Sequence, residues 1–512
     1  MNDLNIPDNT PVLVGCAQIT QREPDPAIAR GPGELIADVA KQALNDAGPA
    51  KQLTDALDTI VVIRSFSHTS WRFASPFGDD DNAPKSLATR LNAPAVRRHI
   101  YTEPGGNMPQ WCVNRLSEQI RAGEVGAALI AGGEALATQK AARRAKLTLD
   151  WKQTHTTKPT SWGVDKRGWS DLEDRHGMRG AIYAYPLIEA AIRHHKGHTI
   201  EQHQQAIGEL LAGFAQVAAN NPLADRRDGY TASQIATVGP DNPMIGFPYT
   251  RLMNANAYID QSAALVMTSA GKARAMGVPR EQWVFLHGYA DAHDHWYLTE
   301  RAELHKSEAM PEVYEAAFEM AGASLQDMAM FDLYSCFSSA VQAACDSLGL
   351  APYDKRGLTV TGGLPYFGGP GNNYVTHAIA ETVQRLRQAP GDKGLVTANG
   401  NYLTKHSAGI YSTEPNGKAP TEAADLQPAL DALPKVEIAE LAEGSAEIES
   451  YTVMHDREGP ASAIVLGRLD NGQRFIANTD DDKGLWHDME RKEWIGHKGR
   501  VTNDGQCNRL SV

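Results

Sequence analysis

A layered α/β protein made of two similar halves, followed by a small all-β unit, is the fold this chain of 512 residues predicts. Three features carry that reading. Short apolar runs alternate with amphipathic helical patterns from about residue 10 onward. The same order of strand, glycine turn, helix and strand returns in the second half, which points to an internal duplication. Beyond a stretch rich in proline and acidic residues, only short strand-like runs separated by turn signals remain.

In the first half, residues 11–16 (PVLVGC) read as a buried strand and residues 58–63 (DTIVVI) as another. Between them, residues 33–47 form a helix with Leu35, Ile36, Val39 and Leu44 on one face. Continuous apolar strands between helices predict a parallel sheet covered on both faces. Pro104-Gly105-Gly106-Asn107-Met108-Pro109 opens a helix reaching Ala122, and residues 127–134 (AALIAGGE) are the next strand.

Residues 135–245 break the rhythm with polar stretches, several tryptophans and helices over 181–195 and 199–221. This is an insertion folded over one face of the core, the kind of excursion that carries substrate contacts. The alternation then resumes, with strands over 263–268, 283–288 and 330–334 and helices over 309–321 and 336–348. A helix over 375–386 and strands over 394–398 and 408–412 complete it. The expected units are an N-terminal half (1–134 with 246–274), a loop domain (135–245) and a C-terminal half (275–412). Pro415, Pro420, Pro428 and Pro434 among acidic residues mark a linker over 413–445. Strands over 449–455, 461–469, 474–478 and 493–503, with the turn Asp470-Asn471-Gly472, make residues 446–512 a small OB-like barrel.

A formal net charge of −13 argues against nucleic acid as a partner, and the basic runs 97–98 and 140–146 read as solvated surface. No apolar run is long enough to span a membrane, and residues 1–10 lack the apolar segment of a secretory signal. Cys16, Cys112, Cys336, Cys345 and Cys507 show neither paired nor zinc-binding spacing, and His287, His293, His295, His194, His195 and His198 match no ligand pattern. A cytoplasmic protein without a metal is the expectation.

Four motifs in order give a family resemblance. They are Asp260-Gln261-Ser262-Ala263-Ala264, Asp332-Leu333-Tyr334-Ser335-Cys336-Phe337, the loop Gly362 to Pro370, and Thr397-Ala398-Asn399-Gly400-Asn401. Over about residues 10–412 the chain resembles the thiolase superfamily, and most of all its SCP2-thiolase-related branch, some members of which carry an added C-terminal barrel. The resemblance implies a duplicated five-layer core, a coenzyme A thioester as substrate, and acyl transfer of the acetyl-CoA acetyltransferase type in lipid metabolism. It also implies a homodimer or a partner protein held through the barrel.

A thiolase attacks its thioester with a cysteine whose pKa is lowered at a helix N-terminus, and holds the developing charge in oxyanion holes. In this chain the slot for that cysteine falls at Gly106 or Asn107. The histidine slot is Gly369, the second cysteine slot Ala398, and the oxyanion side chain Tyr334. None of the four carries the usual residue. Cys112, more than a turn inside its helix, and Cys336 read as core. The resemblance then leaves Tyr334, Tyr366, His406 and Asn107 as candidate catalytic groups. Gly105, Gly106, Gly368, Gly369, Asn372, Asn373 and Gly400 are candidate holders of the thioester oxygen. Two further functions stay open: a retro-aldol carbon–carbon lyase pairing Tyr334 with Tyr366 or Tyr374, similar to thiolase-fold aldolases, and a non-catalytic CoA-ester binding protein.

Overall fold

A computed structural model describes residues 6–417 and 422–512, so Met1 to Asn5 and the linker's Pro420 lie outside the described residues. Strands β1 (Pro11–Thr20), β2 (Thr59–Val62), β3 (Arg98–Thr102), β4 (Ala127–Ala135) and β5 (Thr160–Trp162) precede a loop-domain hairpin of β6 (Met244–Gly246) and β7 (Tyr249–Thr250). With β8 (Asp260–Ser269) they build a first sheet in the order β1-β8-β4-β2-β3-β5. The expected parallel sheet is in fact mixed. β2 runs parallel to β3 and β4, but β8 lies antiparallel between β1 and β4. Apolar runs report burial on both faces, which a central antiparallel strand shares; they do not encode direction.

The second sheet has the order β10-β11-β12-β9, from β9 (Phe285–His293), β10 (Met330–Asp332), β11 (Lys393–Gly400) and β12 (Lys405–Ser412). Helices Met108–Arg121 and Tyr374–Gln388 lie between the sheets, touching strands of both. Helix Pro32–Asp46 covers the outer face of the first sheet and helix Ala309–Ala321 that of the second. These five layers explain the composition of the central helices. Sandwiched on both sides, they bury Cys112, Val113, Leu116, Val375, Ala378 and Ile379 and expose almost no apolar-free face.

The C-terminal strands β13 (Gly444–Asp456), β14 (Gly459–Leu469), β15 (Arg474–Thr479), β16 (Lys498–Asn503) and β17 (Asn508–Ser511) pair in the order β13-β14-β15-β17-β16 and close back onto β13. Helix Lys483–Met489 sits between the third and fourth strands. This is a closed five-stranded OB-like barrel. The helix and β17 were not expected, and β16 begins at Lys498 rather than Glu493. The Glu493 carboxylate accepts the N–H groups of Trp494 and Ile495 at 3.0 Å, which commits that segment to a turn.

The barrel is bolted to the rest of the chain. Met454 of β13 pairs with Gly246 of the hairpin β6–β7, and Phe247 N–H donates to the Val453 carbonyl at 2.8 Å. Arg193 of helix Ala181–His195 reaches Glu493 at 2.9 Å. Arg474, wholly buried, donates to the carbonyls of Thr299, Arg301 and Ala302 and pairs with Glu449. Among the described residues no helix is long and apolar enough to cross a membrane.

Removing the Arg474 guanidinium leaves three backbone carbonyls without their donor and takes one of two arginine partners from Glu449, which keeps Arg468 at 3.1 Å. Arg474→Ala is therefore expected to cost about 1–3 kcal/mol in denaturant unfolding, and an unchanged midpoint would show that the barrel does not depend on this anchor.

Candidate active site

Helix Met108–Arg121 starts directly after β3, and its first turn is the centre of the site. Gly105 has φ +152°, a conformation that favours glycine, and its N–H donates to Asn372 Oδ1 at 3.0 Å. Asn372 in turn donates to the Arg64 carbonyl at 2.8 Å and to Thr69 at 3.1 Å, so it braces the loop from behind. Asn107 occupies the N-cap position without making a cap bond. Its Oδ1 is buried and finds no donor among the described residues.

Gly106 is glycine because of what approaches it. A Cβ there would overlap the Tyr334 hydroxyl and stand 2.6 Å from the Asn399 carbonyl. Tyr334 comes from the second half, two residues after β10, and is 8% exposed; burial, with Cys336 nearby, holds its phenol well above the usual range. Asn399 of β11 donates to Tyr185 Oη at 2.7 Å, while its own Oδ1 is buried without a donor. Tyr185 arrives from loop-domain helix Ala181–His195, stacked on Phe337 with centroids 4.5 Å apart. The first half, the second half and the insertion each supply part of this cluster.

Lys405, the first residue of β12, completes it. Side chains alternate along a strand, and those of Lys405, Gly409 and Tyr411 share the face turned to the central helix, where Tyr411 donates to Gln110 at 2.8 Å. The Lys405 amine donates to the Pro104 carbonyl. A Cβ on Gly105 would meet Lys405 Nζ at 2.6 Å and Asn107 Oδ1 at 2.5 Å, and one on Gly400 would meet Lys405 Cε at 2.9 Å. Burial pulls the ammonium down to about 8, offset only in part by Glu103, which is itself held by Arg64 at 3.3 Å and by Ser161.

Of the residues singled out from sequence, the fold thus gathers Tyr334, Asn107, Gly105, Gly106 and Gly400 around one point, with Asn372 behind it. The others have different employment. His406 projects to the opposite face of β12 and lies 3.0 Å from Asp294 and 3.2 Å from Ser307. Tyr366 packs beside Tyr230, 6.0 Å between centroids. Tyr374, an edge-on neighbour of Tyr334, spends its hydroxyl on Asp332 and Thr361. Asn373 donates to the Gly132 carbonyl at 2.8 Å; Gly369 N–H donates to Asn256, and Gly368 packs on Gln261. Lys405 was missed. Its signal was a lone cation opening an otherwise small and apolar strand on the face turned inward. Nothing in the sequence marked Tyr185.

No thiol is poised. Burial pushes Cys16, Cys336 and Cys345 up to about 12, and Cys112 well above its usual value.

Five layers, two halves related by duplication, and a helix tip facing the second half's loops define a thiolase fold. A solved structure of a monomeric SCP2-thiolase-like protein type 1 from Mycobacterium smegmatis shares 38% identity, covering 99% of this chain and 100% of that one, with a TM-score of 0.85. The chain belongs to the SCP2-thiolase-like protein type 1 family. The family described as thiolase-like protein type 1 additional C-terminal domain matches residues 425–506. The fold is shared with an Ltp2–ChsH2(DUF35) aldolase (17% identity, 79% of this chain, 98% of that one, TM-score 0.57). It is shared too with acetyl-CoA acetyltransferase from Syntrophomonas wolfei (13%, 79% and 99%, 0.55). No curated protein matches the chain.

An uncompensated buried ammonium leaves a stability signature. Below pH 8 both folded and unfolded chains hold the Lys405 proton and the burial cost is constant. Between about 8 and 10.5 the unfolded chain binds more protons, so this group makes stability rise with pH, by up to about 3 kcal/mol. Lys405→Met is accordingly expected to unfold at higher denaturant than the parent at pH 7, with the gap shrinking by pH 10. A gap that is absent, or constant with pH, would refute the burial of a charged amine.

Proposed function

We propose that this protein breaks a carbon–carbon bond in a coenzyme A thioester, in the retro-aldol sense, without an acyl-cysteine. One observation carries the reading: at the helix tip, the Tyr334 hydroxyl takes the space that a side chain at residue 106 would need. Acyl transfer, the activity implied by the family resemblance, needs a thiolate at the acyl carbon, and the slot for that thiol holds Gly106 or Asn107. Tyr334 suits a different task. A phenol held above its usual range gives its proton only to a strong base, and a thioester enolate is one. In retro-aldol cleavage the β-hydroxyl gives its proton to a solvent base, the Cα–Cβ bond breaks to a carbonyl and an enolate, Tyr334 protonates the α-carbon, and the tyrosinate left behind takes a proton back from solvent. One neighbour of the same fold is named an aldolase, which supports the reading.

The working unit is proposed to be a single chain rather than the homodimer expected earlier. The outer edge of β3 is covered by the chain's own β5, and the relative from Mycobacterium smegmatis is described as monomeric.

Tyr334→Phe is expected to lower kcat for cleavage of a β-hydroxyacyl-CoA by ~100-fold or more, followed by release of the carbonyl product, while iodoacetamide leaves the parent's rate unchanged. A Phe variant as fast as the parent, or inactivation that tracks alkylation of Cys336, would dismiss the lyase.

A further inference from the structure

We infer that Lys405 is the cation that holds the thioester oxygen while it carries negative charge, so that the site binds β-oxidised acyl-CoA thioesters as enolates. This rests on the CoA-thioester reading above and adds the group that would make an enolate stable there. Four cationic side chains are buried in the described residues: Arg193, Arg301, Lys405 and Arg474. Arg193 faces Glu493 and Arg474 faces Glu449. Arg301 spreads its guanidinium over the carbonyls of His295 and Tyr402 and the hydroxyl of Thr404. Lys405 alone has a single hydrogen bond, to the Pro104 carbonyl, and no carboxylate within ion-pair distance among the described residues.

An ammonium has three protons to donate, so two remain. Lys405 Nζ, Asn107 Oδ1 and the Tyr334 hydroxyl converge where Cβ atoms on Gly105, Gly106 and Gly400 would stand, so glycine at those three positions lets the three polar groups meet. This meeting point lies at the N-terminus of the 14-residue helix Met108–Arg121, whose dipole adds positive potential there, with Met108 N–H already donating to the Gly105 carbonyl and Pro109 carrying none. A lone cation beside a helix N-terminus, out of water, is costly until an oxygen anion arrives to neutralise it. A thioester whose carbonyl oxygen sits there gains most when that oxygen becomes an enolate, which is how a pre-set charge favours the reaction over the ground state. Tyr334, on the other wall, is then placed to return the proton to carbon.

The test uses the full-length protein and acetoacetyl-CoA, whose enolate has a near-ultraviolet absorption band that its keto form lacks. On binding, the C2 proton passes to the buffer and the anion stays in the site. At pH 7 the parent is expected to bind with calorimetric heat and to show the band. Lys405→Met is expected to lose at least about tenfold of the band, since one pKa unit is a factor of ten, and Lys405→Arg to keep more of it than the Met variant. A band of equal strength in Lys405→Met, or binding by the parent with no band, overturns the role of Lys405 and leaves the CoA reading standing. Absence of any binding heat in the parent overturns both. The parent's titration decides the matter even where a variant fails to fold.

Discussion

The contact between Gly106 and the Tyr334 hydroxyl is the constraint on which the site is built. It joins the first turn of the central helix to the end of β10, so it sets how closely the two halves meet at the point where a thiolase keeps its nucleophile. At residue 106 a side chain and this tyrosine are mutually exclusive, because any Cβ there would collide with the ring's oxygen. Around that contact stand a phenol above the helix tip, a buried lysine amine beside it, and the side-chain oxygens of Asn107 and Asn399 left without donors. Buried polar atoms are normally satisfied. The Asn107 and Asn399 side-chain oxygens are two acceptors here that a hydrogen-bond donor would satisfy.

The barrel and the loop domain act on this place from a distance. Ser450 of β13 donates to the Leu187 carbonyl at 2.6 Å, and Arg193, on the same helix, is tied to Tyr451 and Glu493. That helix delivers Tyr185 to Asn399 and to the N–H of Leu403 at 3.1 Å. A chain of direct contacts thus runs from the barrel through one helix to the strand loop that ends at Lys405. The barrel is a brace for the insertion that walls the site, which gives a physical reason for its seat against both the loop domain and the second half.

Much of the architecture was legible in the sequence because period and punctuation are local. Helices Ala181–His195 and Ala309–Ala321 carry their boundaries in their own apolar spacing and flanking glycines, and the barrel announced itself through short strands and the Asp470-Asn471-Gly472 turn. Strand direction was not legible, since β8 is as apolar as a parallel strand would be. The site was half legible. Motif order brings Tyr334, the 105–107 turn and His406 to attention, but it is silent on Lys405, the neighbour of His406. Strand alternation separates the two, sending the imidazole to Asp294 and the amine to the helix tip. Tyr185 could not have been foreseen, as it enters across a contact 214 residues apart in sequence.

The account stands or falls on where a thioester oxygen goes. A crystal structure of the protein with acetoacetyl-CoA is predicted to place that oxygen within hydrogen-bonding reach of Lys405 Nζ at the start of helix Met108–Arg121, with the α-carbon facing the Tyr334 hydroxyl. Density that instead joins the acyl carbon to a cysteine sulfur, or a CoA ester seated away from this turn, would contradict it.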